Sequence, residues 1–514
     1  MPLWPQTSRR TFLRATAGAG LWGPLAAGWG LKDSAIQAAD ETGLPPDMVA
    51  LHPDIEPLVR RIETTPREKC VEMLAAQLHG GASYRELLAA LFLAGIRNVN
   101  PQPPGFKFHC VFVIHAAHQL SLDAAAQDRF LPLFWALDEF KKSQAEDQEQ
   151  GDFRLRPVTG KLPAPEAAWS EFHEAMEKWD EPRADRAIVA LVRSKGAHEV
   201  MEGLWRYGAR DYRNIGHKAI FVANAWRTLQ TIGWQHAEPV LRSLVLGLLD
   251  FKDQEVNGYA FHDQSYLSNV ARATSVEKLP GAWSETTPRS EVTLDVLELL
   301  RAGEIRQACD RAVSILSTGQ GTAGPLWDAA HLAAGELMMR QPGIFGIHTV
   351  TSINALHYAF RCALEPRQRL LLLLQGLGWM CQFRNFMATR QPALSNLRIN
   401  DLQSAPIAAD PAEAIAEIFS LLSTDPAAAA PRALALARQR PDPADFARQA
   451  RSLIFRKTAD PHHYKYAAAV FEDYDLVSPD WRPHVLATSV YYLRGSQLPD
   501  APLMAAAREA TRNL

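Results

Sequence analysis

His109-Cys110-Val111-Phe112-Val113-Ile114-His115-Ala116-Ala117-His118 and His348-Thr349-Val350-Thr351-Ser352-Ile353-Asn354-Ala355-Leu356-His357 share one pattern, His-x-Val-x-x-Ile-x-Ala-x-His. The two stretches lie 239 positions apart in a chain of 514 residues. Weaker matches keep the same order on either side. Phe92-Leu93-Ala94-Gly95 pairs with Leu332-Ala333-Ala334-Gly335, and Arg67-x-x-Cys70 with Arg306-x-x-Cys309. Downstream, Arg186-Ala187-Ile188 pairs with Arg432-Ala433-Leu434, His217-Lys218 lies near His463-x-Lys465, and Trp234 falls 247 positions before Trp481. Ordered matches whose spacing drifts slowly point to a duplication with a long period. Apolar residues recur at three- and four-residue spacing, and alternating β-branched runs are nearly absent. The expected fold is therefore all-α: an internally duplicated helical domain whose two homologous halves, 56–270 and 295–500, pack about a pseudo-twofold axis. Breaks are expected at the polar or proline-rich stretches 147–165, 275–290 and 391–411.

The N-terminus carries a second signal. Ser8-Arg9-Arg10-Thr11-Phe12-Leu13-Arg14 precedes a weakly apolar, glycine-containing run from Ala15 to Gly30. Paired arginines ahead of such a run are what the twin-arginine export machinery reads, so residues 1–38 are expected to be a signal peptide and linker. The expected location is the periplasm or another exported compartment. A chain sent out folded is often one that takes up a cofactor first.

No later segment reads as a membrane span; Leu370 to Leu374 is bounded by Arg367, Arg369 and Gln375 and reads as a buried helix segment. A net charge of −3 offers no basic footprint for nucleic acid. Five cysteines without a Cys-x-x-Cys exclude haem c attachment of the usual type and argue against a zinc ribbon. No Gly-x-Gly-x-x-Gly, Walker loop, Gly-x-Ser-x-Gly or His-Glu-x-x-His is present, which argues against a Rossmann domain and the common hydrolase frameworks.

The chemistry then rests on the 16 histidines. His115 and His118 are three apart and share a helix face; Asn354 and His357 repeat that spacing. His109 and His348 precede His118 and His357 by nine residues, half a revolution, so they share a face only if a helix starts nearby. Gly105 and Gly346 make such a start plausible. His217 is expected at a helix start after the polar segment Asp211 to Gly216, and His262 in a loop beside Asp263. Three readings stand side by side: a metal or haem site, a metal-free pocket, or histidines buried for structure alone. On the functional reading His109, His115 and His217 are the catalytic candidates, His348, His357 and His463 the cofactor-binding ones, and His118 a metal ligand. Carboxylates are scarce around them, so an N-rich site for haem, copper, iron or zinc is expected over an oxygen-rich one for calcium or magnesium.

Phe108 to His115 and Ile347 to Leu356 resemble histidine-bearing segments of the questin-oxidase-like family, helical proteins that include ring-opening oxygenases. That resemblance covers about a tenth of the chain and implies pocket roles for His109, His115 and His348. Gly81 to Leu91 also looks like part of the carboxymuconolactone-decarboxylase helical fold, without the Cys-x-x-Cys of its peroxidase branch. The functional expectation is an exported helical oxidoreductase, oxygenase-like, using a histidine-bound metal or haem on a small-molecule substrate. The alternative is a non-enzymatic helical binding or scaffold protein, in which each histidine is dispersed and bonded to a backbone carbonyl.

Overall fold

Helix follows helix in the computed structural model, which describes residues 44–250, 260–458 and 460–512; the twin-arginine segment lies outside them. Among the described residues there are 22 α-helices and no strand. In chain order they are α1 (Glu56–Thr64), α2 (Cys70–His79), α3 (Tyr84–Asn98), α4 (His109–Leu122), α5 (Leu131–Gln150), α6 (Ala168–Glu177), α7 (Glu181–Ser194), α8 (Ala197–Ala209), α9 (His217–Ile232), α10 (Ala237–Leu248) and α11 (Ala260–Ser275). Then follow α12 (Ser290–Ala302), α13 (Ile305–Thr318), α14 (Ala323–Arg340), α15 (Ile344–Cys362), α16 (Pro366–Ala388), α17 (Pro411–Leu421), α18 (Pro426–Gln439), α19 (Ala444–Lys457), α20 (Pro461–Leu476), α21 (Arg482–Ser489) and α22 (Pro502–Ala510).

Local chemistry explains many of the starts. Ser83 caps α3 in a capping box: its hydroxyl accepts from the Glu86 N–H at 3.2 Å while the Glu86 carboxylate accepts from the Ser83 N–H at 2.8 Å. Asp180, Asp425 and Asp460 cap α7, α18 and α20, each just ahead of a proline in the first turn. Helices α14, α15 and α16 bury residues around nearly their whole circumference, and such helices belong in the interior. Leu370 to Leu374 are all buried in α16, and no helix among the described residues is long and apolar enough to cross a membrane.

Residues 47–514 form one compact unit. Its centre is built by helices from both ends of the chain: α4 packs on α20, α9 on α15, α15 on α20, and α9 on α4. These four helices carry the site described below.

Several local expectations need revision. α5 runs on to Gln150, because the Asp147 carboxylate in its last turns accepts from the Asn100 and Phe153 N–H groups at 2.9 and 2.7 Å and ties the polar stretch down. Residue 262 is helical rather than in a loop, since α11 begins at Ala260; the helix is held against α16, where Asn269 donates to the Gln375 side chain at 2.8 Å. Gly343, at φ +137°, precedes α15, whereas Gly346 lies inside it; a Cβ on Gly346 would come within 2.8 Å of the Met338 sulfur. All five cysteines are free.

Candidate metal centre

Four histidines meet at the crossing of α4, α9, α15 and α20. His109 and His217 are the first residues of α4 and α9, His348 lies in the first turns of α15, and His462 is the second residue of α20. All four are buried. Ring centroids stand 5.0 Å apart for His109 and His217, 4.4 Å for His217 and His348, 4.5 Å for His109 and His462, and 5.3 Å for His348 and His462.

Each ring is held from behind in the same way. His109 Nδ1 donates to the Phe106 carbonyl at 2.7 Å, His217 Nδ1 to the Asn214 carbonyl at 2.6 Å, and His348 Nδ1 to the Ile344 carbonyl at 2.6 Å. His462 Nδ1 donates to the Asp460 carboxylate at 2.7 Å. Burial works to raise the Asp460 pKa, but the hydrogen bond and charge of His462 outweigh it and hold the carboxyl below its ordinary range. These oxygens accept and do not donate, so the proton of each neutral ring sits on Nδ1 and the Nε2 lone pair faces inward.

The backbone is shaped to allow this. Asn214, Ile215 and Gly216 all hold positive φ, at 59°, 50° and 84°. That geometry is open to asparagine and glycine but costs a β-branched residue on the order of 1–3 kcal/mol. Gly216 fits where a Cβ would come within 2.6 Å of the Ser352 side chain, and Gly105 leaves room for the His217 ring, 3.0 Å from where its own Cβ would stand.

Inside, the Nε2 of His217 lies 3.1 Å from that of His109 and 2.9 Å from that of His348. Donor nitrogens of His109, His348 and His462 lie within 4.8 Å of one another, and His462 Nε2 is buried with no hydrogen-bond partner. Lone pairs at such distances repel unless a cation lies between them. A metal bound to imidazole at ~2.0–2.1 Å holds neighbouring donors about 2.9–3.4 Å apart. Protonation is the other source of positive charge, and the surroundings oppose it. Burial above all, with the Lys465 charge adding to it, pushes His109, His217 and His348 well below the ordinary imidazole value. Burial and Lys465 also lower His462, against the pull of Asp460. Around the rings the walls are aromatic: Phe112 lies nearly parallel to His217 at 5.7 Å, and Phe221 and Phe108 pack behind it.

The other candidate histidines do not join this cluster. His118 and His357, two and a half turns along from His109 and His348, lie on the opposite helix faces. His118 sits against Tyr84, ring centroids 5.7 Å apart. His357 stacks flat on Trp327 at 4.4 Å, and its Nδ1 lies 2.9 Å from His331 Nε2. His331 in turn faces Asp473 at 3.4 Å, which raises its pKa although burial, the largest single influence, works to lower it. His115 is buried with its Nδ1 unpartnered, and burial and then the Arg227 charge push its pKa well down. His463 bonds the Thr458 hydroxyl at 2.6 Å and stacks on Tyr492. Its neighbour His462 is the one that reaches the centre, because adjacent helical residues point about 100° apart. A spacing of 245 from His217, within the drift of the sequence matches, would have selected His462.

The buried neutral histidines outside the cluster carry a pH signature. Burial holds His463 and His484 at about 4. Unfolded chains bind these protons at about 6.5, so the unfolded state binds more protons between the two values and stability rises with pH across that window. Stability is expected to be complete above the unfolded value and to fall as pH drops toward 4, by roughly 3 kcal/mol for each of the two groups. Urea unfolding followed by circular dichroism from pH 7.5 to 4.5 checks this; an unchanged midpoint would refute it. Comparison with known protein families, curated proteins and solved structures finds no match.

Proposed function

We propose that this chain is a metalloprotein whose four-imidazole centre, His109, His217, His348 and His462, binds one transition-metal ion and uses it in oxidoreductase chemistry on a small-molecule substrate. The observation that carries the reading is the set of inward Nε2 lone pairs, buried together and, among the described residues, bonded to no N–H donor from outside the cluster. Dispersed structural histidines, as in a scaffold, would each need only the carbonyl bond behind them, not one another. An all-nitrogen donor set suits iron, copper, zinc or nickel and disfavours calcium or magnesium. Bonds from Nδ1 to carbonyls and a carboxylate are the outer shell that orients metal-binding imidazoles. The Nε2 of His217 stands 3.1 and 2.9 Å from those of His109 and His348, too close for these pairs to ligate from opposite faces of a porphyrin, which favours a bare ion over a haem.

The internal duplication belongs to the same reading. His109 and His348 stand 239 positions apart, His217 and His462 stand 245, and the Arg227–Glu472 ion pair joins two positions also 245 apart. α4 packing on α20 mirrors α15 packing on α9. An ancestral half with two histidines would then build the centre on the axis between its two copies. Export by the twin-arginine route, folded and with the ion loaded, and an oxygenase-like activity in keeping with the questin-oxidase resemblance complete the proposal.

The direct test is metal analysis of protein purified without chelator and after reloading with iron, copper, zinc or nickel. One ion per chain is expected. A chain that holds none of these ions in any preparation overturns the proposal.

A further inference from the structure

Lys465 follows His462 by three residues on α20, so both side chains lie on one helix face. It is buried, and its Nζ has no hydrogen-bond partner. Nζ stands 5.9 Å from the centre of the Phe112 ring, the same ring that lies against His217 at 5.7 Å and edge-on to His109 at 5.9 Å. Its charge acts on all four imidazoles of the cluster. The amine therefore stands beside the aromatic wall of the histidine cluster. Burying an ammonium without a partner costs several kcal/mol; burial pushes Lys465 down to about 7, and among the described residues the charge of Asp460 offsets only part of that cost. Four neutral imidazoles likewise leave the charge of a bound divalent ion uncompensated. Among the described residues, the carboxylate of the centre, Asp460, is spent behind His462.

We propose that Lys465 and the metal together form a subsite for a small anion: the anion ligates the ion at a position the imidazoles leave free and accepts a hydrogen bond from the Lys465 ammonium. One ligand then answers two deficits, the missing negative charge at the metal and the missing partner at Nζ. The ligand class is a small mono-anion or a substrate oxygen that becomes anionic on binding the metal. Lys465 acts here as a positioning residue for that ligand. The inference rests on the metal reading above.

The test uses the full mature chain loaded with cobalt(II), with azide as the probe and its ligand-to-metal charge-transfer band as the readout. The wild-type protein is expected to bind one cobalt and to take up azide saturably. Lys465→Met, close in volume, is expected to keep one cobalt per chain while its azide dissociation constant rises at least tenfold. Nitric oxide, a neutral ligand, should bind the iron(II) forms of both proteins alike. Lys465→Gln, which keeps a polar end without the charge, should match Lys465→Met and serves if the methionine variant misfolds. Equal azide affinity in wild type and variants overturns the subsite and leaves the metal centre standing. Failure of the wild-type chain to bind cobalt, iron, copper, zinc or nickel removes both.

Discussion

Replacing His217 with leucine is expected to abolish metal binding while leaving the chain folded. Its Nε2 lies 3.1 Å from that of His109 and 2.9 Å from that of His348, two of the three imidazoles whose donor nitrogens lie within 4.8 Å of one another, so its loss opens the side of the centre between them. Asp460→Asn is the graded companion. It preserves the shape behind His462 but removes the carboxylate charge, and loss of such an outer partner typically costs about 10–100-fold in metal affinity. Loss of His217 itself should exceed that range. The second readout is stability, because an ion that binds only the folded state adds about 4 kcal/mol when present at 1,000 times its dissociation constant. Wild-type protein should therefore gain a large metal-dependent shift in unfolding midpoint, which His217→Leu lacks. His118→Ala and His357→Ala, whose rings lie on the far faces of α4 and α15, should keep both the ion and the shift. Retention of one ion by His217→Leu, or its loss in the double variant at 118 and 357, would move the centre elsewhere.

Arg97→Met is expected to destabilise the protein by about 3–5 kcal/mol, with no effect on metal stoichiometry in the folded fraction. The Arg97 guanidinium is 0% exposed and lies between two buried carboxylates. It donates to Glu56 at 2.7 and 2.8 Å and to Glu63 at 2.7 and 2.9 Å, and also to the Val49 carbonyl at 3.2 Å. Methionine would fill much of the volume but leave two carboxylates facing each other, Glu56 without its cation and Glu63 with only the more exposed Arg60 at 3.1 Å. An apolar triple variant, with leucine also at 56 and 63, should recover most of the loss, since a buried ion cluster replaced as a whole by well-packed apolar groups is often neutral or stabilising. Urea unfolding at pH 7 reads both. A loss below about 1 kcal/mol for Arg97→Met, the range of exposed pairs, would show that the cluster contributes no more than a surface salt bridge.

The two sites differ in how legible they are along the chain. Arg97, Glu56 and Glu63 carry no local pattern; they meet because α1 packs on α3. The polar group around His331 is similar: Asp473 comes from α20 and His331 from α14, 142 positions apart in sequence. Lys465 reads in sequence only as the end of the His463-x-Lys465 match to His217-Lys218, and its enclosure beside aromatic rings and imidazoles is what gives it chemical meaning.

Periodicity alone determined that the described chain is helical, since a 3.6-residue repeat of apolar positions is a local property written in consecutive residues. Turn chemistry placed His217 at a helix start and allowed one near His109, and the half-revolution between His109 and His118 already separated two faces. What only the tertiary structure decided is which imidazoles meet. The centre takes one residue from each of four helices that are far apart in the chain, and a shift of a single position, from His463 to His462, turns a ring by about 100° from the tyrosine stack into the cluster. Sequence spacing constrains faces of one helix; the angle and register at which four helices cross depend on packing between them, and that is not a local property of any one segment.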